Sequence, residues 1–247
     1  MQDFIAGEER LLLGRHGLDR FEALWTPGLA AVEAPEPGQG GWSSVSWLQL
    51  DERPYCLKRQ RSHTVRSLRH PLGEPALARE LRHIQRCQAL KIPVLPAVFC
   101  AGRRIDGASC AVLLLRGEAG WRPLSDWLAA RDSLDGGERR AILRACGELL
   151  QRLHGARLVH GRLSAARILL GRHDQGFAAR LDGLDALRPL WRPVQDRLDD
   201  LTALLRDDAT AWEAREIRQL LGFYLDEFER VDQWEARLAR SLDRTIR

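Results

Sequence analysis

Residues 153–170 read Leu153-His-Gly-Ala-Arg-Leu-Val-His160-Gly-Arg162-Leu-Ser-Ala-Ala-Arg167-Ile-Leu-Leu170. A helical pattern enters this stretch from residue 137 and ends near Gly155, and the apolar run Ile168-Leu-Leu170 leaves it as a strand. Between helix and strand lies a loop carrying histidine at 160 and arginine at 162 and 167. The residue types at those three positions decide how the chain is read.

The spacing is that of H-R-D-L-x-x-x-N, the catalytic loop of protein kinases, where the aspartate receives the acceptor's proton and the asparagine holds Mg²⁺. Arg162 stands at the aspartate position and Arg167 at the asparagine position. A guanidinium keeps its proton at any workable pH and offers no lone pair to a metal. Beside a phosphate it would act as a clamp instead. The expectation is a kinase fold whose phosphoryl-transfer chemistry has been dismantled or rerouted.

Composition fits a folded domain. With 45% hydrophobic and 29% charged residues, the 247-residue chain reads as globular, either one large domain or two lobes sharing one cleft. The longest apolar run, Cys110 to Leu115, suits a buried strand and falls far short of the ~18 residues that span a bilayer. The first ten residues lack the basic-then-apolar layout of a secretion signal. Five scattered cysteines without a C-x-x-C read as reduced core residues. Together these predict a cytoplasmic protein. Of its 38 basic residues only Lys58 and Lys91 are lysine, so each of the two merits inspection. A net charge of +4 permits anionic partners without requiring them.

Along the chain, the first 30 residues look like a lead-in, and residues 35–41 are turn-rich. Residues 42–50 and 54–58 alternate with period two across Asp51-Glu-Arg, predicting a hairpin. Residues 74–90 are helical, with Leu77, Leu81, Ile84 and Cys87 on one face and Pro75 in the first turn. Two apolar strands follow, around 98–100 and 110–115. Helical patterns then cover 124–131, 137–155, 193–205 and 212–230. The class predicted is α+β and bilobal, with a strand-rich lobe over 1–117 and a helical lobe over 118–247.

In that frame Gly38, Gly40 and Gly41 precede the first strand, where bare backbone N–H groups can meet phosphate oxygens. An ordinary hairpin lead-in would look the same. Lys58 closes the next predicted strand, thirteen residues after Val45, as expected of a lysine that binds nucleotide phosphates. Glu80 lies mid-helix, 22 residues further on, where it would pair with Lys58; Glu74, beside Pro75, is a competitor.

Trp42-Ser-Ser-Val, Tyr55-Cys-Leu-Lys-Arg-Gln60, Gly73-Glu-Pro-Ala-Leu-Ala-Arg-Glu80 and Leu90-Lys-Ile-Pro-Val-Leu95 resemble the bacterial lipopolysaccharide core kinases, including heptose and Kdo kinases and InaA-like relatives. The resemblance runs from about Gly38 to Leu205. It implies a protein-kinase-like fold acting on core sugars at the cytoplasmic face of the inner membrane. It implies a structural role for His160, the catalytic position for Arg162, and a lost metal ligand at Arg167. The metal-binding aspartate of the segment Leu181-Asp182-Gly183-Leu-Asp185-Ala-Leu-Arg188 falls either on Gly183, by alignment of Arg188, or on Asp182 after a slip of one. ATP or another nucleotide is the implied ligand, and the missing ligands count against Mg²⁺. Two converging arginines imply either a network with Asp182 or Asp185, or a bound anion.

The last eighteen residues place Val231, Trp234, Leu238 and Leu242 on one helical stripe with arginines outside. Such a stripe packs on its own domain or lies on anionic lipid. Lysine-rich patches interleaved with aromatics are missing, so nucleic acid is not an expected partner. The reading is a pseudokinase: a regulator or scaffold of lipopolysaccharide core phosphorylation, with core intermediates or other core-biosynthesis enzymes as partners and peripheral membrane contact at most. An active sugar kinase with rewired residues and a pure protein-interaction module are the alternatives.

Overall fold

The computed structural model describes residues 3–26, 41–67, 70–206, 212–225 and 230–243. The chain divides into two compact units, one of Met1–Ala89 with Leu95–Ala119, the other of Leu90–Val94 with Gly120–Arg247.

In the first unit, β1 (Phe4–Ile5), α1 (Arg10–Arg15) and α2 (Phe21–Trp25) precede the hairpin of β2 (Trp42–Leu50) and β3 (Arg53–Arg61). A smaller hairpin of β4 (Thr64–Ser67) and β5 (His70–Pro75) leads into α3 (Ala76–Ala89), followed by β6 (Ala97–Ile105) and β7 (Ala108–Arg116). The main sheet is antiparallel in the order β1-β6-β7-β3-β2. Asp106 and Gly107 turn β6 into β7 with φ of 49° and 76°, the positive pair that a tight Asp-Gly hairpin uses. Successive strand residues face opposite sides, which assigns the two layers. Lys58, opposite Leu113, faces α3; the neighbouring pair Leu57 and Leu114 faces the other way.

That opposite face corrects the reading of the N-terminus as a lead-in. Leu13, Phe21 and Leu24 are fully buried there against Tyr55, Leu57, Phe99 and Leu114. Their segment is the cover of the sheet, because among the described residues no other element of this unit outside the sheet joins that buried cluster. Glu9, 1% exposed, anchors it by accepting from Tyr55 Oη at 2.8 Å and pairing with Arg116 at 2.8 Å. A second correction concerns residues 74 and 75. They belong to β5, where Thr64 pairs with Pro75 and Val65 with Glu74, so the helix begins two residues later than predicted, at Ala76. Leu77, Leu81, Ile84 and Cys87 do form its buried face.

The second unit contains β8 (Arg122–Pro123), α4 (Leu124–Ala129), α5 (Gly136–Gly155), β9 (Leu158–Val159), β10 (Ile168–His173), β11 (Gly176–Leu181), β12 (Arg188–Pro189), α6 (Gln195–Leu205), α7 (Ala214–Leu225) and α8 (Val231–Asp243). Asp135 caps α5, accepting from Glu138 N at 2.8 Å while Glu138 receives Asp135 N at 3.2 Å. The helix crosses α7 so closely at Gly147 that a Cβ there would lie 2.7 Å from that of Phe223. Val231, Trp234 and Leu238 are buried against the unit's own helices, with Trp234 edge-on to Tyr224. The α8 stripe is therefore consumed internally, and the lipid alternative for it falls. Among the described residues no helix is long and apolar enough to cross a membrane.

The N-terminal cover yields a test. Phe21→Ala should cost about 3–5 kcal/mol in urea unfolding, the usual loss for a buried aromatic ring. Leu11→Ala, at an 83% exposed position of the same segment, should stay within about 0.5 kcal/mol.

Candidate functional site

Two groups of residues carry the sequence-predicted site, one in each unit. In the first, β3 runs on to Arg61, so Lys58 stands inside the strand and not at its end. Its Nζ is 2.8 Å from Glu80 Oε1, and both side chains are almost wholly buried, 8% and 4% exposed. A buried lysine needs such a carboxylate, since an uncompensated charge there would cost several kcal/mol. Glu74 is engaged elsewhere, pairing with Arg82 at 2.6 Å, so Glu80 is the partner. Gly41 meets the backbone of β3's end: a Cβ would lie 2.5 Å from Arg61 O, which leaves room for glycine alone. Gly38 and Gly40 lie outside the described residues.

In the second unit, α5 ends at Gly155 and Arg157 reverses the chain with a φ of 57°. Strand β9 then pairs with β12, Val159 opposite Arg188, and delivers His160. The His160 ring is fully buried. Its Nε2 lies 2.9 Å from Asp182 O and its Nδ1 3.4 Å from Arg162 N, which fits the neutral tautomer with the proton on Nε2. Burial holds its pKa below the ordinary histidine value, in keeping with a structural role.

The backbone of this loop is gripped by Asp200 of α6, a residue that the sequence reading missed. Its carboxylate, 3% exposed, accepts from His160 N at 2.7 Å and Gly161 N at 2.9 Å, and lies 3.2 Å from His154 Nε2. His154 Nδ1 is in turn 2.8 Å from Tyr224 Oη. Burial opposes ionisation of Asp200, but the His154 ring and the two backbone donors outweigh it and hold the pKa below the usual carboxylate range. Asp196, one turn earlier, is also buried. It takes both terminal nitrogens of Arg188, at 3.1 and 3.2 Å, and the N–H groups of Trp191 and Arg192. The Arg188 guanidinium, aided by those backbone donors, keeps the Asp196 carboxyl far below its ordinary range. One sequence signal could have found both. Residues 196, 200 and 204 are four apart, and two carboxylates share the buried face of an amphipathic helix with Leu204.

The two arginines lie where the loop closes. Arg162, 61% exposed along its side chain, forms an ion pair with Asp185. Arg167 runs alongside Gly183: a Cβ on residue 183 would be 2.6 Å from Arg167 Nη1. Gly183 itself has a φ of 69°, the left-handed region that favours glycine. Asp182 is the first residue beyond β11, whose Leu181 pairs with Ile168. Its N–H donates to Arg167 O at 3.0 Å and its carbonyl accepts from His160. The described residues contain no cluster of three or more His, Cys, Asp or Glu side chains arranged to hold a metal ion.

Replacing Asp200 by alanine would strand two backbone donors and His154 in the core, at a cost of about 3 kcal/mol or more. Because its folded pKa is depressed, the stability Asp200 contributes is complete above the unfolded carboxylate pKa of about 4 and is lost as pH falls through the lower folded value. Chemical denaturation from pH 6 downward should therefore show a shallower acid loss for Asp200→Asn than for the parent chain.

Comparison with known proteins bears on the fold and the family. WaaP in complex with acyl carrier protein aligns with a TM-score of 0.68 at 19% identity, over 99% of this chain and 98% of that one, a likeness of fold. Protein InaA of Escherichia coli (strain K12) is 27% identical over 176 residues, which cover 70% of this chain and 82% of InaA. Residues 22–224 match the family described as Lipopolysaccharide kinase (Kdo/WaaP). With its α+β kinase-like fold and most of its length matched, the chain belongs to the lipopolysaccharide kinase (Kdo/WaaP) family.

Proposed function

We propose that this chain is a catalytically impaired member of its family, a pseudokinase that receives a nucleotide without transferring its phosphate and serves as regulator or scaffold in lipopolysaccharide core phosphorylation. The observation that carries the reading is the ion pair of Arg162 with Asp185. A guanidinium in the place of the catalytic aspartate cannot take the acceptor's proton, and the pair occupies a carboxylate that a relocated metal site would need. Arg167 removes the second ligand. On this reading Asp182 is the residue at the metal-binding position. It is tied through its backbone to Arg167 and His160 on both sides, whereas residue 183 has neither a side chain nor room for one. A single carboxylate is a poor Mg²⁺ site, so the metal's share of transition-state stabilisation is missing. The buried Lys58–Glu80 pair supports retention of nucleotide phosphates, with ATP or another nucleotide as ligand.

Retention of Asp182 favours the second reading, an active core-sugar kinase with rewired residues. Thermal-shift titration with ATP and a nonhydrolysable analogue separates the possibilities. The pseudokinase should be stabilised by nucleotide equally with and without Mg²⁺, and Lys58→Ala should abolish the shift. A shift that needs Mg²⁺, joined to transfer to core oligosaccharide lost in Lys58→Ala, would establish the active enzyme. Absence of any shift would leave an interaction module. Calorimetry of Arg162→Asp with Arg167→Asn should then show Mg²⁺ affinity for the nucleotide complex that the parent lacks, provided Asp182 is the surviving ligand.

A further inference from the structure

The outer face of α5 carries Arg140, Arg144, Glu148 and Arg152, all exposed. Four-residue spacing sets them in one row along the helix, with Cα atoms about 6 Å apart. Between this row and α7 runs a groove of about 560 Å³, with Gln151 beside the row on one wall and Gly222 and Phe223 on the other. The two helices touch at Gly147, where a Cβ would lie 2.9 Å from Tyr224 N, and this contact fixes Phe223 beside the row. The groove shares no residue with the Lys58–Glu80 pair or with the loop of His160, Arg162 and Arg167. It does lie on the helix that ends in His154, the partner of Asp200.

Arginines elsewhere in this unit are answered by acids: Arg131, Arg162, Arg172, Arg188 and Arg218 each pair with a carboxylate. Arg140, Arg144 and Arg152 have no carboxylate partner among the described residues. The first two instead converge on one ring, with Arg140 Cζ 5.5 Å and Arg144 Cζ 5.1 Å from the Phe223 centroid. Glu148 stands four residues from both Arg144 and Arg152, a spacing at which helical ion pairs form, yet it pairs with neither. Three guanidinium groups against one carboxylate leave the groove two positive charges in excess. Like charges four residues apart on a helix repel, so Arg140 and Arg144 oppose each other until an anion lies between them. We propose that this groove is an anion site that takes a diphosphate-bearing small molecule. Each guanidinium fork can meet phosphate oxygens with two parallel bonds, and two forks in a row match two adjacent anionic centres. Contact with the aromatic ring holds the forks in place before the ligand arrives. The volume lies within the ~300–1,000 Å³ of small-molecule sites. Glu148 argues against an acidic protein segment, which would run along the whole row and meet that carboxylate. A compact ligand can stay at the Arg140–Arg144 end.

The test is calorimetric titration of the full chain with inorganic pyrophosphate. The parent is titrated beside a chain carrying Lys58→Met with Glu80→Gln, which silences the nucleotide pair without stranding a buried charge. Both should bind pyrophosphate, and added salt should weaken the binding. In either background Arg144→Gln should lower the affinity about fivefold, and Arg140→Gln with Arg144→Gln about twentyfold. Glu148→Gln should raise it about threefold, because a negative charge leaves the groove. Arg215→Gln, at an exposed arginine of α7 that already pairs with Glu213, should change nothing. The melting temperature of the arginine variants should not fall, since their side chains are in water and repel each other. Three results would overturn the proposal. One is no binding of pyrophosphate, and another is binding that ignores both arginines. The third is a hexaglutamate peptide that binds more tightly than pyrophosphate, which would assign the groove to an acidic protein segment. Binding lost with Lys58 and Glu80 but not with the arginines would place the anion at the nucleotide pair and count as the second result.

Discussion

One buried carboxylate organises the second unit. Asp200 reaches from α6 to two successive N–H groups of the loop, and no short sequence spacing could supply that bond. Because it is charged and shut away from water, it tolerates little displacement: each donor it loses leaves desolvation unrepaid. His160 is thus fixed from its backbone, and its ring in turn fixes the carbonyl of Asp182. Helix, loop and the end of β11 form one hydrogen-bonded chain. The positions of Arg162 and Arg167 follow from it.

The first unit solves a similar problem differently. Lys58 lies inside a sheet between Val45 and Leu113, a setting in which an ammonium is tolerable only beside Glu80. The pair is present although arginines stand at positions 162 and 167. Such a pair suits a binding site, because a merely structural position would be served as well by two apolar side chains.

Much of this was legible in the sequence where the signal was local. Period-two alternation gave the β2–β3 hairpin, and helical periodicity gave the buried face of α3. The kinase-like spacing pointed from Lys58 to Glu80, with Glu74 left as a competitor. What escaped was long-range or contrary to propensity. The strand at Glu74 and Pro75 was hidden because proline also suits the first turn of a helix. The segment carrying Leu13, Phe21 and Leu24 is too short to show a period, and its burial depends on a sheet whose residues run from Tyr55 to Leu114. Asp196 and Asp200 went unremarked, since sequence does not reveal which donors will converge on a carboxylate. The arginines were conspicuous, but only the fold shows Asp185 answering Arg162 and glycine making way for Arg167.

The pairing of Arg162 with Asp185 also has an evolutionary meaning. On the pseudokinase reading proposed above, an aspartate at position 162 could in principle be regained through one codon. Here such a reversion would set a new carboxylate against Asp185 where a guanidinium now stands, and two like charges at that range disfavour each other. Arg167, lying against Gly183, would have to change as well before a metal could return. The ion pair therefore works as a ratchet: whatever the chemistry of the site, changing one partner alone leaves the other charge unanswered.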